Sequence, residues 1–147
     1  MKTVCLVALG GALGSVARYK LSGLIMRHAL DWRFPIGTFV VNILGCLVIG
    51  ILGGLVVKAN LFSANTRFFL FTGILGGFTT FSSFGLETFH LLRKGELLVA
   101  GANIVLSIIL GLLVLWLGFY LVQQLDLAKL NRKLAWLSLF IANVGKF

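Results

Sequence analysis

The chain has 147 residues, of which 59% are hydrophobic and 12% are charged, whereas soluble domains hold about 45–50% apolar and about 25% charged residues. This composition excludes a soluble monomer. The net charge of +9 does not indicate a nucleic-acid partner, because the lysines and arginines punctuate long uncharged runs instead of clustering on one polar face. Basic residues so placed are typical of the ends of membrane spans, so we expect a protein embedded in lipid.

Four hydrophobic runs are predicted to cross the membrane as helices, since about 20 residues span the ~30 Å hydrocarbon layer. The first, residues 3–17, reaches full length only if the helix continues to about residue 26. It lacks a cleavage site followed by a polar mature domain, so we interpret it as a retained span. The others are residues 34–57, 68–86 and 97–125. The pattern predicts an all-α membrane protein with four transmembrane helices in residues 1–125.

The third run contains a polar, glycine-rich stretch at residues 76–84. Two glycines followed by two threonines should break the helix in mid-membrane, and a broken helix leaves backbone carbonyls that can hold a monovalent cation. Phe81 and Phe84 lie on one helical face at i and i+3. Their electropositive ring edges can line an anion path, although packing against lipid or protein is the alternative for such a pair.

Polar residues recur along one face of the second and fourth runs. Thr38, Asn42 and Gly45 share a face of the second, and Asn103, Ser107 and Gly111 recur every fourth residue in the fourth. Amides buried in a membrane must hydrogen-bond, so these strips serve either an anion path or contacts between helices. Glycines at GxxxG spacing, at 10 and 14, 50 and 54, and 73 and 77, indicate close helix packing within the subunit, between subunits, or both.

Residues 126–147 differ from the rest of the chain. Leucines and Ile141 form one helical stripe, and Lys129, Arg132 and Lys133 lie off it. We predict a basic amphipathic tail on the membrane surface, with a loosely ordered tail as the alternative.

The basic residues at the ends of the spans are shared almost equally between the two sides of the membrane. Seven fall on one side, namely Lys2, Lys58, Arg67, Lys129, Arg132, Lys133 and Lys146, and six on the other, namely Arg18, Lys20, Arg27, Arg33, Arg93 and Lys94. Because an excess of basic residues sets orientation, this near balance indicates insertion in both orientations. Without the tail the count becomes three against six.

Catalytic motifs are missing from the sequence. It has no GxSxG nucleophile motif and no phosphate-binding glycine loop, and Cys5 and Cys46 have no zinc or redox spacing. The sequence therefore predicts that the chain is not an enzyme.

Three segments resemble, in order and spacing, the signatures of the Fluc (CrcB) fluoride channel family. They are GGALGSVARY at residues 10–19, GTFVVNILG at 37–45 and GILGGFTTFSSF at 73–84. The likeness covers about residues 3–125. It implies a fluoride-selective channel that passively exports cytoplasmic fluoride across the cell membrane, built as an antiparallel, dual-topology homodimer with a third helix broken in mid-membrane.

The resemblance also implies roles for particular residues. Backbone carbonyls of Gly76 and Thr79 would hold a structural sodium ion at the dimer centre, and Arg18 would lie in an aqueous vestibule. The fluoride pathway would be lined by Asn42, Phe81, Ser82, Ser83, Phe84 and Ser107. Asn103 stands where the family often has tyrosine, a departure in the polar track of the fourth helix that keeps a hydrogen-bond donor at this position. Some family members pair two distinct subunits, so a heterodimer stays open.

The sequence has two rival interpretations besides a channel. A proton-coupled small multidrug exporter also has four helices, but it normally needs a carboxylate deep in the first span, and residues 3–17 contain none. A non-transporting subunit that assembles larger complexes through its GxxxG faces would not need its polar residues inside the spans.

Overall fold

The computed structural model describes residues 1–29, 32–59 and 61–125, and its regular structure is helical throughout, with no strand in the described ranges. The elements are α1 (Lys2–Arg27), α2 (Ile36–Ala59), α3 (Ala64–Arg67), a π-helix (Phe68–Leu75), α4 (Gly76–Phe78), α5 (Phe81–Arg93) and α6 (Leu97–Gln124). α1, α2, α6 and the stretch Ala64–Arg93 are each long and apolar enough to cross a membrane. The four predicted spans are thus confirmed, and the predicted tail lies outside the described residues.

The third span is longer than its uncharged run predicted. The run stopped before Glu87, yet the helical stretch extends from Ala64 to Arg93. The carboxylate is accommodated because the Thr38 hydroxyl on α2 donates a 2.7 Å hydrogen bond to Glu87 Oε1. Ser63 begins the stretch by accepting a hydrogen bond from the Thr66 amide at 3.3 Å, a common way to cap a helix.

The π-helix Phe68–Leu75 was not predicted. Its eight residues, FFLFTGIL, are nearly all apolar, so hydropathy cannot distinguish a π turn from an α turn. Such segments are rare and frequently lie next to functional sites.

Thr79 and Thr80 interrupt the helical path of the third span. Their backbones are extended, with φ and ψ of −78° and 156° at Thr79 and −149° and 107° at Thr80. The Thr80 hydroxyl accepts a 3.2 Å hydrogen bond from the amide of Ser83 and so caps the start of α5. The depth of this interruption in the bilayer stays a prediction.

Glycines let pairs of helices approach within the subunit. A methyl group at Gly10 of α1 would lie 2.6 Å from the backbone oxygen of Phe69 in the π-helix. Gly50 of α2 likewise meets the backbone of Leu115 in α6, too closely for any side chain. The GxxxG pairs at 10 and 14 and at 50 and 54 therefore pack helices of one chain against each other.

Charged side chains join the elements at both ends of the bundle. Arg33 Nη1 contacts Glu96 Oε1 at 3.0 Å, which connects the segment before α2 to the segment before α6. At the other end Lys58 of α2 donates to the Val122 carbonyl at 3.1 Å, and also to the carbonyls of Gln123 and Leu125. These carbonyls lie at the C-terminal end of α6, where a cation complements the helix dipole.

Candidate functional site

Most of the predicted site residues line one cavity of about 440 Å³ between α2, the third span and α6. Six of them are in its wall, namely Asn42, Gly76, Thr79, Phe81, Phe84 and Ser107. The interruption at Thr79 brings them together, because it lets Gly76 before it and Phe81 after it face the same space. Apolar side chains such as Ile49 and Phe71 complete the wall, so the polar groups stand in otherwise apolar surroundings.

The two phenylalanines form a pair at the start of α5. Their ring centroids are 5.4 Å apart and their planes are inclined by 39°. Phe81 is 83% exposed and Phe84 is half-buried, so the pair stands at the margin between the cavity and the outer surface of the chain. The edges of such rings carry partial positive charge.

The side chain of Asn42 hydrogen-bonds to the backbone at the interruption of the third span. Its Oδ1 accepts a 2.8 Å hydrogen bond from the Thr80 amide, and its Nδ2 donates to the Thr80 carbonyl at 3.1 Å. The side-chain amide thereby replaces the two backbone partners that Thr80 would have in a continuous helix. A carboxamide nitrogen carries two hydrogens, so one of them is left to serve the cavity.

Two carbonyls next to the interruption differ in their partners. The helical partner of the Gly76 carbonyl would be the Thr80 amide, which Asn42 takes instead. The Thr79 carbonyl accepts a 3.3 Å hydrogen bond from Arg18 Nη1 of α1. Gly76 is exposed and lines the cavity.

A second cavity, of about 430 Å³, contains the other polar side chains of the predicted site. Arg18 and Ser83 line it together with Thr38 and Glu87. Ser82 lines neither cavity. It is exposed, and its hydroxyl lies 3.2 Å from Thr80 Oγ1.

Sequence reasoning missed two polar groups that the fold places at or beside these cavities. Glu87 was treated as the end of a run, but its Oε2 is buried and has no hydrogen-bond partner among the described residues. Thr88 joins α5 to α6, since Asn103 Nδ2 donates to its hydroxyl at 2.8 Å. The rule that ionisable residues inside a span mark functional places could have identified Glu87. Nothing in the sequence alone pairs Thr88 with Asn103.

The described residues thus define a multi-pass membrane protein whose polar side chains gather around an interruption of the third span. The sequence model of the family described as CrcB-like protein, Camphor Resistance (CrcB), matches residues 5–119. The chain belongs to this CrcB family.

Several relatives match more than four-fifths of the chain. A protein of Methylobacillus flagellatus named Fluoride-specific ion channel FluC is 61% identical over 124 residues, which are 84% of this chain and 97% of that protein. Proteins of the same name from Flavobacterium psychrophilum and Pyrococcus abyssi are 46% and 40% identical, over 85% and 84% of this chain and 100% and 98% of their own lengths. The prediction that the chain is not an enzyme is confirmed, since these relatives are named as channels.

Proposed function

We propose that the chain is a fluoride-selective channel through which cytoplasmic fluoride leaves the cell passively. The name shared by its relatives supports the ion. The observation that carries the proposal is the cavity that gathers Phe81, Phe84, Asn42 and Ser107 beside the interrupted third span. Around these groups the wall is apolar, and no exchangeable carboxylate lies among its lining residues.

The chemistry of this cavity suits a small, strongly hydrated anion. A pore for fluoride must replace water with hydrogen-bond donors and positive ring edges while leaving each position weak enough for the ion to depart. The second N–H of Asn42, the hydroxyl of Ser107 and the edges of Phe81 and Phe84 are groups of this kind. Larger anions would need a wider path and would gain less from such compact donors.

The proposed channel also contains a structural sodium ion. The backbone carbonyls of Gly76 and Thr79 would hold it. Sodium is held in membrane proteins by backbone carbonyls where a helix is unwound, and the Gly76 carbonyl has lost its helical amide to Asn42. The Thr79 carbonyl accepts from Arg18 but has a second lone pair. A bound sodium ion would supply positive charge near the anion path, and these two carbonyls of each chain would be its ligands.

We infer further that two copies pair in opposite orientations. The exposed Gly76 backbone and the 83% exposed side chain of Phe81 lie on the same margin of the cavity. An inverted second copy would cover this margin and would bring two more carbonyls to the sodium ion. A partner of different sequence would fit the same margin, so a heterodimer is an outcome of the tests below.

The second cavity suits the entrance of the pathway. Arg18 gives it a positive charge, and the hydroxyl of Ser83 lines its wall. Fluoride attracted by Arg18 would approach the interruption from this side, and the exposed Ser82 would offer a further hydroxyl. Glu87 opposes the positive charge in the same cavity, which would keep anion binding there weak.

Efflux from liposomes tests the proposed channel. Purified protein is reconstituted into vesicles loaded with fluoride or chloride salts, and each anion is followed with a selective electrode. We expect rapid fluoride efflux with chloride retained. Vesicles that keep both anions would contradict the proposal, and equal loss of both would contradict the selectivity.

Substitution of the two phenylalanines tests the role of the ring edges. We expect Phe81→Ile and Phe84→Ile each to reduce fluoride efflux by roughly tenfold or more, since loss of about 1.4 kcal/mol of stabilisation is one factor of ten. The matched control is Phe89→Ile on the same helix, whose side chain is 56% exposed and lies outside the cavity wall. Unchanged efflux in both cavity variants would remove the rings from the pathway.

A further inference from the structure

A series of three hydrogen bonds connects Ser107, at the cavity, to the helix that carries Phe84. Asn103 of α6 is 1% exposed. Its Nδ2 donates to Thr88 Oγ1 at 2.8 Å, and the Thr88 hydroxyl donates to the Phe84 carbonyl at 2.7 Å. One turn further along α6, the Ser107 hydroxyl donates to Asn103 Oδ1 over 3.5 Å.

The Phe84 carbonyl, at the end of this series of hydrogen bonds, fixes the direction of each donor. The Phe84 carbonyl can only accept, so Thr88 uses its single hydroxyl hydrogen there. Thr88 must then accept from Asn103, which orients the amide nitrogen toward Thr88 and the amide oxygen toward Ser107. A buried amide oxygen without a donor is costly, and Ser107 supplies the donor that the described residues offer.

This order determines what Ser107 presents to the cavity. A hydroxyl has one hydrogen and two lone pairs, and the hydrogen is directed along α6 to Asn103. The lone pairs then face the cavity. Their partial negative charge repels an anion. For fluoride to accept a hydrogen bond from Ser107, the hydroxyl must rotate away and leave the buried oxygen of Asn103 unpaired.

We propose that Asn103 and Thr88 are positioning residues that weaken fluoride binding at Ser107 by holding its hydroxyl hydrogen. The inference rests on the proposed fluoride pathway. Neither residue lines the cavity, so both act through Ser107. Weak binding at this position lets the ion leave the site, which a channel requires.

The fluoride dependence of efflux tests this role. Asn103→Leu removes the amide oxygen that holds the hydrogen. Thr88→Val removes the acceptor that orients the amide, which can then turn its nitrogen toward Ser107. Both variants free the hydroxyl for fluoride, so we expect the fluoride concentration at half-maximal flux to fall by roughly three- to tenfold, the range of one ordinary hydrogen bond.

Two comparisons separate positioning from a merely structural role. Thr72→Val, the same substitution at an exposed position of the third span, should leave the half-maximal concentration unchanged. In a Ser107→Ala background, Thr88→Val and Asn103→Leu should no longer shift it. A shift that persists without Ser107, or no shift in either variant, would overturn the proposal. If the Ser107→Ala protein passes no fluoride, the half-maximal concentrations of Thr88→Val and Thr72→Val are compared instead. A decrease in Thr88→Val alone supports the proposal, and its absence overturns it.

The hydrogen-bond chain also has a readout that needs no fluoride. In protein labelled with ¹⁵N-asparagine, the side-chain NH₂ of Asn103 should exchange slowly with solvent, and Thr88→Val should speed that exchange. Absence of efflux in the unchanged protein would overturn the proposed function, and the fluoride role of Asn103 with it. Normal efflux with fast exchange at Asn103 would overturn the positioning role alone.

Discussion

Asn42 performs one of the two tasks that the sequence presented as alternatives, a contact between two spans. An amide in a span indicated either a donor to an anion or a contact between helices. In the structure the amide bonds both the N–H and the carbonyl of Thr80, at 2.8 and 3.1 Å, because a carboxamide has the same donor and acceptor pair as a peptide group. It therefore holds the backbone next to the cavity, and its place in the fluoride pathway stays a prediction.

Removal of this amide should destabilise the interruption and impair transport together. Asn42→Ala leaves the buried amide and carbonyl of Thr80 unpaired, at a cost of about 1–3 kcal/mol for each group. We expect a lower thermal midpoint in detergent and slower fluoride efflux from liposomes. The control is Asn65→Ala, at an exposed asparagine of α3. An unchanged thermal midpoint of the Asn42→Ala protein would contradict the stabilising role of Asn42 at Thr80. Full fluoride tolerance of cells that carry Asn42→Ala would favour the non-transporting subunit.

The third span differs most from its predicted form. Its uncharged run ends before Glu87, because a carboxylate is ordinarily expected in water. The hydrogen bond from Thr38 keeps this carboxylate inside a longer helix, and only the neighbouring helix supplies that partner. The π-helix before the interruption packs against α1, where Gly10 meets the backbone of Phe69 and Gly73 meets Gly10.

A single methyl group should disturb this contact between α1 and the π-helix. In Gly10→Ala the added Cβ would lie 2.6 Å from the Phe69 oxygen, so two backbones must separate. We expect a loss of about 1–3 kcal/mol, the usual cost of overpacking, seen as a lower thermal midpoint. Gly11→Ala is the matched control, since its Cβ would meet nothing within 4 Å. Equal midpoints in the two variants would show that the helices are not in close contact there.

At the scale of the whole molecule, charged side chains join the helices at both ends of the bundle. Lys58 binds carbonyls at the end of α6, and Arg33 pairs with Glu96 at the opposite end. Each end of the bundle therefore carries a basic side chain. The near equality of seven and six stays a prediction, since four of the seven residues lie outside the described part of the chain. Insertion in both orientations remains the basis for the proposed inverted pair.

A reporter fused to the C-terminus tests dual topology. For the full chain we expect the reporter on both sides of the membrane in comparable amounts. Truncation after residue 125 removes four basic residues from one side, namely Lys129, Arg132, Lys133 and Lys146. The positive-inside rule then predicts one orientation, with the connections between α1 and α2 and between α5 and α6 in the cytoplasm. A single orientation of the full chain would contradict the inverted homodimer and favour a pair of distinct subunits.

The sequence by itself determined the four spans, the absence of enzyme motifs, the family resemblance and the residues around the interruption. These depend on composition, length and motif order, which are local properties of the chain. Only the tertiary structure decided that Asn42 holds Thr80, that Thr38 accommodates Glu87 and that Asn103 of α6 donates to Thr88 of α5. Inside a membrane every buried polar group needs a partner, and the partner lies on another helix, at a distance along the chain that no local pattern encodes.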